Sequence, residues 1–238
     1  MMSNTTAWSE IVVKAKLLID DIRWQEELAT SPARFFRAKS DYVLMALPLL
    51  SRPPSLLHYL QSGMTMPSYG SASWQSTEQS KTEQAVVPTG LIGYQMVSVT
   101  LRSFDGLDEV PYTDYSYNAE TGEVTFGLQS EAGLAYEIDA YSDGEFPALD
   151  PTMMRLFALA VAVVWDERFE RNWLNMQMKI KDSSFSTAAE GQYLEKVGQR
   201  LSRNRAMFND ELRHYEQNVY YANTVPEFRR PSNLDPGA

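Results

Sequence analysis

The sequence predicts an α+β protein that is mainly α: a long-helix bundle with a small antiparallel β-sandwich or barrel as an insert and an extended C-terminal arm. Three observations predict this fold class. Apolar residues recur at helical spacing in residues 1–62 and 150–222, they alternate with a period of two between about residues 94 and 143, and residues 223–238 contain three Pro. The 238-residue chain has no Cys, and it is long enough to bury a core without disulfides.

Residues 1–62 are predicted to form the first helices of the body. Apolar residues recur at steps of three and four over residues 7–28, which is the spacing of one helix face. Pro32 suits the first turn of a second helix over residues 33–50, because its missing N–H costs nothing there. A short third helix is predicted over residues 54–60. These helices need neighbours to cover their apolar faces.

Residues 63–89 differ in composition from the helices that precede them. They are rich in Ser, Thr, Gln, Gly and Pro, and they cannot by themselves bury enough apolar surface to offset the entropy lost on ordering. The stretch is therefore either a flexible linker or an arm that becomes ordered against another chain. Two aromatic residues, Tyr69 and Trp74, slightly favour the arm.

The β module, residues 90–147, carries the acidity of the chain. Its alternating pattern predicts four or five short strands, and residues 118–122 predict a hairpin turn in which Gly122 is left-handed. Residues 103–150 contain twelve Asp or Glu and no Lys or Arg, so this stretch alone carries a charge of −12. Because the formal charge of the whole chain is −10, the remainder sums to +2.

Residues 150–222 are predicted to form a long helical hairpin. Asp150 suits a helix N-cap, Pro151 suits the first helical position, and the apolar run at residues 156–165 predicts a buried central helix. A second long helix follows, with apolar residues and glycines in rows at heptad spacing. The candidates for packing between subunits lie in these rows: Leu194, Gly198, Leu201, Phe208, Leu212 and Tyr215.

Few side chains indicate chemistry. Asp166 and Glu170 lie one helical turn apart and could act as an acid–base pair, but an exposed polar helix face explains them better. His58 and His214 are far apart, without further ligands at metal-binding spacing, and the glycine motifs of nucleotide-binding sites are absent. We therefore expect no enzymatic activity, no metal, no cofactor and no membrane span. A small enzyme using Asp166 and Glu170 is the rival hypothesis.

The C-terminal arm, residues 223–238, is predicted to be extended. It is either a mobile tail or a docking arm, since Pro lowers the entropy cost of ordering and Arg offers forked donors to carboxylates. The candidate partner-binding residues are Val225, Pro226, Phe228, Arg229, Arg230 and Pro231.

The order of these elements resembles the head-to-tail connector, or adaptor, proteins of tailed double-stranded DNA bacteriophages. Residues 112–126 are similar to a hairpin of the pattern tDYtyd-tGtvtF that is common in phage structural proteins. Residues 156–165 and 193–221 are similar to the paired helices of adaptor subunits. The resemblance covers most of residues 90–222.

The resemblance implies a virion structural protein, assembled in the host cytoplasm, that forms a ring, usually twelve-fold, below the portal protein. The ring would extend the channel for non-specific passage of DNA, meet the next neck or tail protein, and hold the portal with its C-terminal arms. An acidic module facing the channel would repel phosphate; its candidate residues are Asp105, Asp108, Glu109, Glu120 and Glu123. Two alternatives stay open: the acidic face meets a basic patch on an adjacent ring, or the chain is another neck or tail-completion protein.

Overall fold

The computed structural model of the chain describes residues 5–19, 21–102, 109–180 and 188–224. About 52% of the chain is helical and about 26% is strand, and the described ranges contain six α-helices and three antiparallel sheets. The predicted long-helix bundle with a small β insert is therefore wrong. The sheets form a substantial second layer, onto which the N-terminal helices pack.

The helices of the described ranges are α1 (Trp8–Ile19), α2 (Ile22–Thr30), α3 (Pro32–Ala46), α4 (Pro54–Ser62), α5 (Pro151–Ile180) and α6 (Ala188–Thr224). The single helix predicted over residues 7–28 is divided at Asp21, which caps α2. Its carboxylate accepts a hydrogen bond from the backbone N–H of Arg23 at 3.1 Å. Burial acts to raise the pKa of Asp21, but the hydrogen bonds and the charge of Arg23 lower it overall.

The strands are β1 (Thr5–Ala7), β2 (Ser68–Gln75), β3 (Ala85–Pro88), β4 (Met96–Arg102), β5 (Glu109–Tyr112), β6 (Tyr115–Asn118), β7 (Glu123–Phe126), β8 (Ala135–Ser142) and β9 (Glu145–Pro147). They pair as a four-stranded sheet in the order β2–β8–β4–β5, a three-stranded sheet in the order β3–β7–β6, and the pair β1–β9. The predicted turn joins β6 to β7, and Gly122 there has a φ of 69°, in the left-handed region.

Residues 63–89, predicted to be a linker or an arm against another chain, instead supply β2 and β3 to the chain's own sheets. β2 pairs with β8 along its whole length, and Ala72 and Trp74 pack on the core between the two larger sheets. The composition of this segment wrongly predicted a linker or an arm, because β8 provides the backbone partner and the apolar neighbours that the segment itself lacks. A Ser-rich strand is stable when the rest of the sheet surrounds it.

Two hydrophobic cores hold these layers together. One lies between the larger sheets, where Val99, Tyr136 and Ile138 of the four-stranded sheet meet Val124 and Phe126 of the three-stranded sheet. The alternation of these residues with polar ones follows from the period of two along a strand. The two sheets therefore pack face to face as a sandwich, which includes β2 and β3 and is larger than the small insert predicted.

The second core surrounds α5. Each residue from 156 to 163 is at most 3% exposed, so the predicted buried central helix is confirmed. α1, α3 and α6 pack around this helix, and α3 also covers β4 and β8. Because residues 156–163 of α5 are apolar on all sides, this part of the helix needs neighbours all round, and the N-terminal helices and α6 provide them.

A lysine is buried at the edge of this core. The Nζ atom of Lys39 lies 4.8 Å from the ring centroid of Trp165 and 5.1 Å from that of Trp24, and it forms an ion pair with Glu27 at 2.5 Å. The electron-rich ring faces and the carboxylate together replace the water that the ammonium loses on burial. Lys39 therefore links α2, α3 and α5.

A buried ion pair fastens α6 to the rest of the helical core. Asp166 of α5 is fully buried, and its two oxygens accept hydrogen bonds from Arg200 Nε and Asn204 Nδ2, each at 2.9 Å. Arg200 also donates to the carbonyl of Ile19, at the end of α1, at 2.6 Å. Burial raises the pKa of Asp166, and the contacts with Arg200 and Asn204 oppose that rise. One arginine thus joins three helices.

We expect Arg200→Met to destabilise the protein by about 3 to 5 kcal/mol, because it leaves the carboxylate of Asp166 buried without a cation. The double variant Arg200→Met/Asp166→Asn should recover most of this loss, since the neutral amide needs no counter-charge. Urea unfolding near neutral pH measures both. Arg203→Met, at an exposed position of the same helix, is the control. A single variant as stable as this control would contradict the role assigned to Arg200.

Candidate functional site

Residues 225–238 of the predicted arm lie outside the described residues, as do Asp105 and Asp108, whereas residues 223 and 224 are the last two of α6 and are not extended as predicted. The statements about Val225, Pro226, Phe228, Arg229, Arg230 and Pro231 therefore stay predictions. The remaining candidates lie on two surfaces, one along α6 and one on the sandwich.

The candidates on α6 divide into buried and open positions. Leu201 and Phe208 are buried in the chain's own core, and Leu212 and Tyr215 pack on it half-buried. The heptad row therefore holds α6 against α5, which leaves less of it for another subunit. Gly198 differs, because apart from its chain neighbours and the backbone of its own helix no described atom lies within 4 Å of the position that a Cβ would take. The side chain of Leu194 lies outside the described residues.

The acidic residues of the sandwich also divide into two groups. Glu109, Glu137 and Asp139 turn toward the helical body and bind arginines, so they do not form an open acidic surface. At the surface lie Asp114, Glu120, Glu131 and Glu145, with Glu123 half-buried. Asp143 and Asp150 stabilise the starts of helices. Asp143 accepts a hydrogen bond from the backbone N–H of Ser9 in the first turn of α1, and Asp150 caps α5.

Arg34, in the first turn of α3, is the centre of the inward group. Its Nη1 donates to Glu109 Oε2 at 2.6 Å, its Nε to Asp139 Oδ2 at 3.1 Å, and its Nη2 to Thr100 Oγ1 at 3.0 Å. Arg102 forms a second ion pair nearby, with Glu137 at 2.7 Å. One guanidinium therefore contacts β5, β8 and β4, and it uses the planar fork that lysine lacks.

Hydroxyl groups complete this junction. The Oγ atoms of Ser31 and Ser98 lie 2.7 Å apart, and Ser31 also reaches Asp139 at 3.4 Å. Burial raises the pKa of Asp139, while Arg34 and Ser31 oppose the rise. Burial acts to lower the pKa of Arg34, but Asp139, Glu109 and Glu137 raise it overall. The group is a hydrogen-bonded contact between the sheet and α3 in which two arginines meet three carboxylates.

Glu120 and Glu123 lie at the tip of the β6–β7 hairpin. Asn118 Oδ1 accepts from the backbone N–H of Glu120 at 3.0 Å and the N–H of Gly122 donates to the Asn118 carbonyl at 2.8 Å, so the turn is well fixed. Glu120 is exposed there. Of the predicted channel-facing residues in the described ranges, these two remain available, whereas Glu109 does not.

The rival catalytic pair does not form an open site at Asp166. That carboxylate is fully buried and occupied by Arg200 and Asn204, while the side chain of Glu170 lies outside the described residues. In the described part of the chain, no three His, Cys, Asp or Glu side chains converge as a metal site requires. No helix of the described ranges is both long and apolar enough to span a membrane.

Two open cavities flank Arg34. One, of about 510 Å³, lies against Glu26, Glu27 and Lys39; the other, of about 380 Å³, lies beside β2 and is lined by Arg37 and Asp41 among others. Both contain acidic and basic groups that already pair with each other. Such walls suit contact with polar groups of another protein better than the enclosed apolar site of a small ligand.

We expect Arg34→Met to destabilise the fold by about 2 to 4 kcal/mol near pH 7, because Asp139 then stays buried without its cation. The loss should shrink near pH 4. The folded-state pKa of Asp139 already exceeds the ordinary value of 3.8 and rises further without Arg34, so its stability contribution is retained at low pH and lost as the pH increases through the folded-state pKa. Urea unfolding at both pH values measures this.

The control is Arg37→Met, since Arg37 is exposed and lies over the ring of Tyr69, 4.6 Å from its centroid. It should cost less than about 1 kcal/mol at either pH. A loss for Arg34→Met that is equal at both pH values would contradict the dependence on the Asp139 carboxylate.

Sequence reasoning did not single out Arg34. The available signal was indirect: residues 103–150 contain twelve acidic residues and no base, so a module packed on helices requires bases from elsewhere. Nothing in the local pattern shows that an arginine 75 residues before Glu109 supplies it. A comparison of the chain with protein-family models, with curated proteins and with solved structures found no match.

Proposed function

We propose that the chain is a virion structural protein of a tailed double-stranded DNA bacteriophage, a head-to-tail adaptor subunit. Copies would assemble into a ring, twelve-fold as is usual for adaptors, below the portal protein. The ring would extend the DNA channel and meet the next neck or tail protein. The proposal draws on the resemblance at residues 112–126, which form β6, β7 and the segments beside them, and on surfaces that the chain leaves uncovered.

The observation that supports assembly most directly is the open position at Gly198. A glycine inside a helix costs roughly 0.5 to 1 kcal/mol relative to alanine, and within its own subunit Gly198 has no described neighbour that would require it. A close approach of a helix from another subunit would require it. The absence of a side chain at Gly198 is therefore better explained by packing between copies than by the stability of the single chain.

A second uncovered surface lies on α1. Leu17 is 76% exposed and Val13 is 43% exposed, and their spacing of four residues puts them on one face of the helix. A ring joins subunits head to tail, so each copy needs two different patches that fit each other. The α1 face and the α6 surface at Gly198 are two such patches.

The acidic groups at the sandwich surface fit either of two roles in such a ring. Glu120 and Glu123 at the hairpin tip would repel DNA phosphates if they faced the channel. They would instead meet Lys or Arg of an adjacent ring if they faced along its axis. A map of the assembled ring distinguishes the roles, and acidic tips on the outer wall would contradict the channel role.

The alternative within the same class is another neck or tail-completion protein, which would share the assembly surfaces but not the portal. The enzyme hypothesis has no accessible acid at Asp166, because that carboxylate is committed to Arg200. We therefore do not propose an enzymatic activity.

We expect Gly198→Gln to abolish ring formation while leaving the subunit at least as stable, because glutamine favours helix over glycine by roughly 0.5 to 1 kcal/mol. Light scattering and negative-stain electron microscopy, with and without the portal, measure assembly, and thermal unfolding measures stability. Lys196→Gln is the matched control, since it lies on the opposite side of the helix and is exposed. If Gly198→Gln formed rings of normal size, the prediction that α6 lies in the subunit interface would be wrong.

We expect a chain ending at Thr224 to lose attachment to the portal while keeping its circular dichroism spectrum and unfolding temperature. The reason is that the deleted residues hold the predicted anchor Phe228 and the forked donors Arg229 and Arg230. Co-sedimentation with the portal measures attachment. Full-length protein with both arginines changed to Glu should fail in the same assay. Attachment of the shortened chain at wild-type affinity would contradict a docking role for the arm.

A further inference from the structure

Strand β2 is an open edge of the four-stranded sheet. It pairs with β8 along all of Ser68–Gln75, and the sheet order β2–β8–β4–β5 gives it no strand partner on its other side within the described residues. An edge strand presents a row of backbone N–H and C=O groups to which another chain can add.

β2 lacks the features that normally protect an edge. Proteins keep edge strands short, place charges on them, or insert Pro. The opposite edge of the same sheet, β5, has four residues and contains Pro111, and the edges β3 and β6 also have four residues each. β2 has eight residues, none of them charged and none Pro. It is therefore the longest and least protected edge in the described ranges.

The backbone groups on the open side can be assigned from the pairing with β8. Ser76, directly after the strand, donates its N–H to the carbonyl of Leu134 at 2.9 Å and so faces β8. Hydrogen-bonded and non-hydrogen-bonded positions alternate along an antiparallel pair. The residues with outward N–H and C=O groups are therefore Tyr69, Ser71, Ser73 and Gln75.

Carboxylates outnumber arginines around this edge. The 380 Å³ cavity beside β2 is lined by three carboxylates, Asp41, Glu137 and Asp139, and by two arginines, Arg34 and Arg37, and an added strand would direct alternate side chains toward it. Glu137 and Asp139 already pair with Arg34, so Asp41 is the carboxylate of this cavity that a partner can meet. Glu131 is exposed near the Gln75 end of β2, where its carbonyl accepts from the Ser76 hydroxyl. Asp143 lies at the other end, next to the Ser142 partner of Ser68.

We propose that β2 is a docking edge for an extended basic segment of another protein, bound by strand addition. The outward backbone groups of β2 pair with the backbone of that segment, and its Lys or Arg side chains meet the exposed carboxylates of Asp41 and Glu131. The complementary charge identifies the partner as basic, and the open N–H and C=O groups identify it as extended. β2 belongs to the four-stranded sheet and not to α6, so the inference stands independently of ring formation.

The test uses the full chain and a fluorescein-labelled peptide of about ten residues that alternates Lys with Thr and Val, followed by fluorescence anisotropy at about 150 mM NaCl. The wild-type protein should bind this peptide, and a peptide with Glu in place of each Lys should not bind. Ser71→Pro should weaken binding about tenfold or more, because it removes an outward N–H without touching the β8 pairing. Ser71→Thr, which keeps that N–H, should bind within about twofold of wild type.

A second arm of the test leaves the protein unchanged. A Lys peptide whose alternate backbone nitrogens are methylated cannot donate those hydrogen bonds, and it should bind wild-type protein at least about tenfold more weakly. This arm decides the proposal if Ser71→Pro does not fold. Asp41→Lys should also weaken binding of the unmodified peptide, by about threefold or more.

Four results would overturn the proposal. The first is no binding of the Lys peptide, and the second is equal binding of the methylated and unmethylated peptides, which would indicate charge attraction alone. The third is a dimer in light scattering that Ser71→Pro dissolves, which would assign the edge to a second copy of this chain. The fourth is a gain of peptide affinity in the chain ending at Thr224, which would assign the edge to its own C-terminal arm.

Discussion

The guanidinium of Arg34 joins the helical body to the β-sandwich, and the distribution of acidic charge depends on this contact. The group binds Glu109 and Asp139 and donates to Thr100, so one side chain of α3 reaches three strands of one sheet. Removing a carboxylate from water costs several kcal/mol unless a cation and hydrogen bonds replace the water. Arg34 supplies both, and α3 can therefore lie on a sheet surface that would otherwise be too acidic to bury.

Because of this contact, part of the acidic charge of the chain does not lie at its surface. The sequence assigns twelve acidic residues to residues 103–150, but three of them point inward toward Arg34 and Arg102, and Asp143 and Asp150 stabilise helix starts. The carboxylates that reach solvent are fewer and lie toward the hairpin tip and the loops. Any electrostatic role in assembly or in DNA passage therefore depends on these outer groups, among which Glu120 is exposed at the hairpin tip.

The sequence predicted those elements whose signals are local. Asp150 and the apolar run after it were sufficient for the central helix α5, and residues 118–122 were sufficient for the β6–β7 turn. β2 was missed because its stability comes from β8, sixty or more residues later in the chain, and a Ser-rich segment has no apolar pattern of its own. The predicted fold class was wrong for the same reason. Glu109 was assigned to an open acidic surface because no local pattern reveals its pairing with Arg34.

The open edge of β2 and the acidity around it form one consistent feature. An unprotected eight-residue edge invites pairing between identical copies, which is a route to aggregation. Two copies that approached edge to edge would bring together the same carboxylates, including Asp41 and Glu131, and like charges at close range oppose such pairing. A basic segment experiences the opposite force at the same edge. The acidic surroundings therefore discriminate between partners where the strand itself, without charge or proline, does not.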